Sequence, residues 1–160
     1  MFGVFLAAAL TTASASPVVE VSDGAVIGHV IVKASPEAAL TLLADPSGVF
    51  AVSQGEGYVR ATPDGACLLT DEYHPNAVMD VHYSLRVCRS EDSVVAELVS
   101  SEDIKTYSSL WRVSATEAGT RLDYRLDVRP DMPLPQWVIN RTTQGSVEDL
   151  LIKLEAHLAK

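Results

Sequence analysis

The sequence predicts an α+β domain in two layers, an antiparallel sheet of about seven strands covered on one face by a long C-terminal helix. Three observations predict it. Strand-like runs follow one another between tight-turn signals from Ala25 to Arg129. Within these runs apolar and polar side chains alternate, which gives a sheet one wet face and one covered face. Beyond Pro133 the apolar period lengthens from two to that of a helix.

Ala25 to Lys33 (AVIGHVIVK) is rich in β-branched residues and follows Asp23-Gly24, so it reads as the first strand. Ser35 is placed as an N-cap and Pro36 as a first helical residue. The helix Pro36–Ala44 then sets Ala39, Leu40 and Leu43 on one side. Asp45-Pro46-Ser47-Gly48 interrupts it, and Gly48 to Ser53 reads as a second short helix or a loop. Six further strands are expected at Gly57–Thr62, Ala66–Tyr73, Met79–Arg89, Ser93–Ser100, Lys105–Thr116 and Thr120–Arg129. Turn signals such as Pro63-Asp64-Gly65 and His74-Pro75-Asn76 separate them. Connections this short specify an antiparallel meander.

The last element starts near Leu134, where Pro133 and Pro135 suit a helix entry. Val147, Leu150, Leu151, Leu154 and Leu158 recur at helical spacing. A helix to Ala159 has roughly 26 residues and a length of about 39 Å, enough to cross the sheet. Gly145 in its middle is read as a point of close approach to the sheet or as a kink.

The turns also fix a register. They pair Val87 with Val94, Val94 with Trp111, and Trp111 with Tyr124. They align Leu85, Ala96, Ser109 and Leu126 in a second row, and Tyr83, Leu98, Tyr107 and Val128 in a third. The opposite face then carries His82, Arg86, Glu97, Arg112, Asp123 and Arg125. The covered face is polar at several tips, through Thr70, Glu72, Tyr83, Tyr107, Trp111 and Tyr124, with Glu72 beside Tyr83. A carboxylate in a dry core is costly unless paired. The first half of the covering helix is polar as well, in Asn140-Arg141-Thr142-Thr143-Gln144. Polar groups on both walls point to a roomy, partly wet cavity. The plainer alternative is a solid core with tyrosine hydroxyls at its rim and Glu72 solvated at a strand end.

Composition narrows the function classes. With 48% hydrophobic and 21% charged residues in 160, the chain suits one sizeable core. A net charge of −9 excludes the basic footprint of a nucleic-acid binder. It also disfavours steady docking on anionic lipid. No apolar run reaches the ~18 residues of a membrane-spanning helix.

The first residues read as a secretory signal. Phe2 to Leu10 is apolar, and Ala13-Ser14-Ala15 offers small residues for cleavage after Ala15, although no Lys or Arg precedes the apolar run. The mature domain is then residues 16–160, periplasmic or secreted.

Two segments carry a family resemblance. Lys33-Ala34-Ser35-Pro36-Glu37-Ala38, after the opening strand, resembles the start of the START-type helix-grip superfamily, also called SRPBCC. Met132-Pro133-Leu134-Pro135-Gln136-Trp137-Val138-Ile139-Asn140-Arg141 resembles that family's entry to its last helix. The likeness covers residues 24 to 159. It implies a curved sheet wrapped on the last helix, and between them a cavity for a lipid, sterol, quinone or polyketide-like molecule. The family includes lipid carriers, coenzyme Q-binding proteins and polyketide cyclases, so fold leaves function open.

Cys67 and Cys88 fall nearly opposite each other if the chain turns at Ala77-Val78. Paired positions of that kind come within disulfide reach, and an oxidising compartment would bridge them. The four histidines, His29, His74, His82 and His157, have no metal-ligand spacing. No Walker loop, G-x-S-x-G, H-E-x-x-H or G-x-G-x-x-G occurs, and no cofactor is called for.

The leading expectation is therefore a monomer that binds or carries a hydrophobic small molecule without catalysis. Its site would comprise Thr70, Glu72, Tyr83, Tyr107, Trp111, Tyr124 and Arg141. A cyclase using Glu72 with Tyr83 or Tyr107, and a scaffold with a closed core that contacts a protein, are the alternatives.

Overall fold

The computed structural model describes residues 16–75 and 80–159. The expected signal segment and the turn at Ala77-Val78 lie outside the described residues. The chain runs β1 (Val18–Ser22), β2 (Ala25–Val32), α1 (Pro36–Leu43), α2 (Pro46–Ser53), β3 (Tyr58–Asp64), β4 (Cys67–His74), β5 (Val81–Arg89), β6 (Ser93–Ser100), β7 (Ile104–Thr116), β8 (Gly119–Pro130) and α3 (Gln136–His157). Among the described residues the strands form one antiparallel sheet in the order β1-β2-β8-β7-β6-β5-β4-β3. The α1–α2 pair carries the chain from β2 to the far edge, and the meander brings it back.

The sheet has one strand more than expected. Val18–Ser22 pairs with Ala25–His29 through the turn Asp23-Gly24. Asp23 and Gly24 both have positive φ, 50° and 76°. That is the two-residue turn whose twist suits a hairpin. Asp-Gly between β-branched residues is a hairpin signal, so it joins two strands here rather than only bounding the one expected at Ala25–Lys33.

Local chemistry accounts for the helices. The Ser35 hydroxyl accepts the Ala38 amide at 3.2 Å, with Pro36 at the first helical position. Ala39, Leu40 and Leu43 are buried, as their spacing predicts. The Ala34 amide donates to the Leu158 carbonyl at 3.0 Å, and the Thr120 hydroxyl donates to the Ala34 carbonyl at 2.6 Å. The end of α3 is thereby tied to the link between β2 and α1.

Register matches the sequence reading at Trp111–Tyr124, Ser109–Leu126, Tyr107–Val128, Val94–Trp111 and Glu72–Tyr83. Between β5 and β6 it is shifted by two residues. Val87 faces Ala96, Leu85 faces Leu98, and Arg89 faces Val94. Pairing runs on to the end of both strands, and the Ser90 amide closes on the Ser93 carbonyl at 2.8 Å. The turn is thus only Glu91-Asp92. A two-residue slide preserves the faces, so each side chain keeps its expected side.

The two halves of α3 behave differently. Val147, Leu151 and Leu154 are buried against Val26, Val30 and Leu122 of the sheet. The close approach that the sequence placed at Gly145 occurs instead at Gly28 of β2. A Cβ on Gly145 would meet nothing within 4 Å, whereas one on Gly28 would lie 2.8 Å from Leu151 Cδ1. The N-terminal half of the helix leaves space beneath it.

Candidate functional site

That space is divided into two adjoining chambers. The smaller, about 260 Å³, lies under the start of α3 and is walled by Val81, Ile104, Leu126, Val128, Leu134, Val138 and Ile139. The larger, about 420 Å³, runs under α2 and is walled by Phe50, Leu85, Val94, Ala96, Trp111, Tyr124 and Leu150. Tyr83, Tyr107 and Ser146 line both. The larger chamber falls within the usual ~300–1,000 Å³ range of a small-molecule site, and the smaller adjoins it.

Strand alternation aims the aromatic side chains inward. Tyr83, Leu85 and Val87 share the inner face of β5, and Tyr107, Ser109 and Trp111 share that of β7. Trp111 stacks on Tyr124 across the β7–β8 pair, with ring centroids 4.0 Å apart. Tyr83 stacks between His74 at 5.3 Å and Tyr107 at 5.4 Å. Burial pushes the Tyr83 hydroxyl well above the ordinary phenol value, and the Glu72 charge adds to this. Burial does the same to Tyr107, helped by Tyr124, Tyr83 and Glu72. Tyr124 is raised by burial, partly offset by its hydroxyl contacts with Tyr107 and Ser109. All three phenols are therefore neutral at neutral pH.

The polar centre is Glu72. It is 7% exposed, so the alternative of a solvated carboxylate at a strand end does not hold. The Thr70 hydroxyl donates to its Oε2 at 2.6 Å, and His74 Nε2 lies 3.1 Å from its Oε1. Thr70 in turn accepts the Leu85 amide at 3.0 Å. The β4 residues Thr70, Glu72 and His74 stand two apart on one strand face, which is why they meet. Both carboxylate oxygens have a partner, as a buried charge requires.

Of the seven residues proposed from sequence, Glu72, Tyr83, Tyr107, Trp111 and Tyr124 line the larger chamber. Thr70 is buried behind it and holds Glu72 in place. Arg141 is a correction. It is exposed on α3 and lines neither chamber. The helix instead presents Thr142, Thr143 and Ser146 to the smaller chamber. His74, read from sequence as part of a turn, belongs to β4 and to the site. The signal was present, because the inward alternation of Thr70 and Glu72 extends to position 74. Cys67 and Cys88 are bridged across β4 and β5 with Cα atoms 4.5 Å apart. Among the described residues no group of three His, Cys, Asp or Glu side chains could hold a metal, and no helix is long and apolar enough to cross a membrane.

No protein-family model matches the sequence, and no curated protein matches it. Solved structures do match. A START superfamily protein from Mycobacterium smegmatis superposes with a TM-score of 0.71 at 16% identity, over 84% of this chain and 96% of that one. This is the START-like helix-grip fold. The STAR-related lipid transfer protein from Xanthomonas axonopodis gives a TM-score of 0.68 at 17% identity, over 90% of this chain and 93% of that one. The Zhui aromatase/cyclase from Streptomyces sp. R1128 gives 0.68 at 15%, over 84% and 92%. In the helix-grip frame the two chambers occupy the space between sheet and last helix. At these identities the likeness concerns architecture alone.

Proposed function

We propose that the protein binds and carries a hydrophobic small molecule, as a monomer and without catalysing a reaction. The observation that carries this reading is the pair of largely apolar chambers joined at Tyr83 and Tyr107, one beneath the start of α3 and the other beneath α2. Apolar surface buried there would supply affinity at about 25 cal/mol per Å². The few polar groups would set orientation. The likeness to a lipid transfer protein supports carriage. A lipid, sterol, quinone or similar molecule is the expected cargo. The chambers weigh against the scaffold alternative, which calls for a closed core.

The same reading puts the protein in the periplasm or outside the cell. The Cys67–Cys88 bridge supports this, because disulfides persist in oxidising compartments. Native mass spectrometry of full-length protein, purified gently from the secreted or periplasmic fraction, tests both parts. The expected species starts at Ser16 and carries an extra lipid-sized mass that organic extraction releases. A bare chain would count against tight carriage, and one that begins at Met1 would count against export.

A second reading has one observation in its favour. Glu72, His74 and Tyr83 stand together on a chamber wall, and an acid–base group beside a phenol suits a cyclase acting on a polyketide or aromatic substrate. The likeness to an aromatase/cyclase agrees with it. It requires that Glu72→Gln abolish turnover while ligand binding persists.

A further inference from the structure

Resting on the carriage reading, we infer that Glu72 makes the site selective for a neutral apolar ligand with a hydrogen-bond-donating hydroxyl, an alcohol or a phenol, and that carboxylate and phosphate head groups are rejected. The first support is the unused capacity of the carboxylate. Its two oxygens offer about four acceptor positions. Thr70 and His74 take one on each oxygen. Glu72 lines the larger chamber, so a ligand hydroxyl can take another.

The second support is the charge of the lining. Among the described residues no Lys or Arg lines either chamber. The acidic residues on the walls are Glu72 and Asp149. Among the described residues the basic side chain on the walls is His74, already engaged by Glu72 at 3.1 Å, while Lys153 is held by Asp149 at 2.7 Å and donates to the Ser53 carbonyl at 2.8 Å. Lys153 does not line either chamber. An anionic head group would therefore lose its hydration beside a buried carboxylate that already engages His74, with no Lys or Arg on the walls to receive it. A hydroxyl donor can give Glu72 a charge-assisted hydrogen bond, roughly twice as strong as a neutral one, and brings no charge of its own into the chamber.

The third support is shape. The stacked pairs Trp111–Tyr124 and Tyr83–Tyr107 give the chamber extended aromatic walls, which suit a ring or a flat apolar body next to the anchored hydroxyl.

A matched probe series tests the inference on the unmodified full-length protein after extraction of any bound material. Nonylphenol, its methyl ether and nonylbenzoate share one tail and differ at the head. Quenching of tryptophan fluorescence reads binding through Trp111. The phenol is expected to bind about tenfold or more tightly than the ether or the benzoate at neutral pH. In Glu72→Gln, checked for an unchanged thermal transition, the gap between phenol and benzoate should shrink severalfold. Equal binding of all three would overturn the selectivity and leave carriage standing. Benzoate binding as tightly as phenol would overturn it too. Failure of all three to bind would overturn both readings. If Glu72→Gln does not fold, the series on the unmodified protein decides alone.

Discussion

Leu151 of the covering helix lies directly over Gly28 of β2, and a Cβ added to the glycine would come within 2.8 Å of the leucine Cδ1. Val147 Cγ1 and the Val18 carbonyl would each be 3.3 Å away, so the new methyl would be crowded from three sides. Gly28→Ala should therefore lower stability by about 1–3 kcal/mol, the usual cost of overpacking a tight contact. Urea unfolding measures it. An unchanged midpoint would mean that helix and sheet separate more easily than this contact implies.

Gly145 of the same helix should respond in the opposite direction. It is exposed, and an added Cβ meets nothing. Gly145→Ala should raise stability by about 0.5–1 kcal/mol through helix propensity. Together the two substitutions locate the tight end of the α3 contact. A destabilised Gly145→Ala would restore the close approach that the sequence pattern pointed to.

The two tryptophans have separate roles. Trp111 is buried against Tyr124 in the larger chamber, while Trp137 is 66% exposed on α3. Trp111→Ala should weaken ligand binding about tenfold or more, and Trp137→Ala by less than about twofold. Isothermal titration of each variant with nonylphenol makes the comparison without relying on fluorescence. Equal losses in two folded variants would mean that the ligand sits elsewhere.

The disulfide pins two neighbouring strands over a sequence separation of 21 residues. Loop-closure entropy for a loop of that size gives about 3 kcal/mol. Cys67→Ser with Cys88→Ser, or reduction, should lower the unfolding midpoint accordingly. Both cysteines face away from the chambers, so affinity measured well below the melting temperature should change little.

Alkaline pH should destabilise the protein through Tyr83, Tyr107 and Tyr124. Burial raises all three phenols in the folded state. Below the unfolded value of about 10 the protons stay on in both states, and stability is unaffected. Above it the unfolded chain ionises first, so stability falls as pH rises toward the folded values. Tyr83→Phe should flatten this decline. Thermal transitions across the alkaline range measure it, and a decline identical in the variant would remove Tyr83 from the account.

Much of this architecture was legible because strands and turns are local. Alternation, fixed by the pleat, assigned the inner face correctly even between β5 and β6, where pairing slid by two residues. β1 was missed although Asp23-Gly24 signals a hairpin, because Val18–Ser22 adjoins a segment read as a leader. His74 was missed because a residue before proline reads as a turn, while the strand in fact extends through it.

The sequence by itself determined the element order from Ala25 onward, the covered face and five chamber-lining side chains, and it set Cys67 opposite Cys88. Each follows from a period or a short turn that nearby residues specify. Only the tertiary structure decided where helix and sheet touch and where they part. Gly28 rather than Gly145 takes the contact, Arg141 turns outward, and Thr142, Thr143 and Ser146 face the cavity. Those outcomes depend on the rotation of α3 about its axis and its height above the sheet. Long-range packing of Val147, Leu151 and Leu154 fixes both, and no local pattern encodes them.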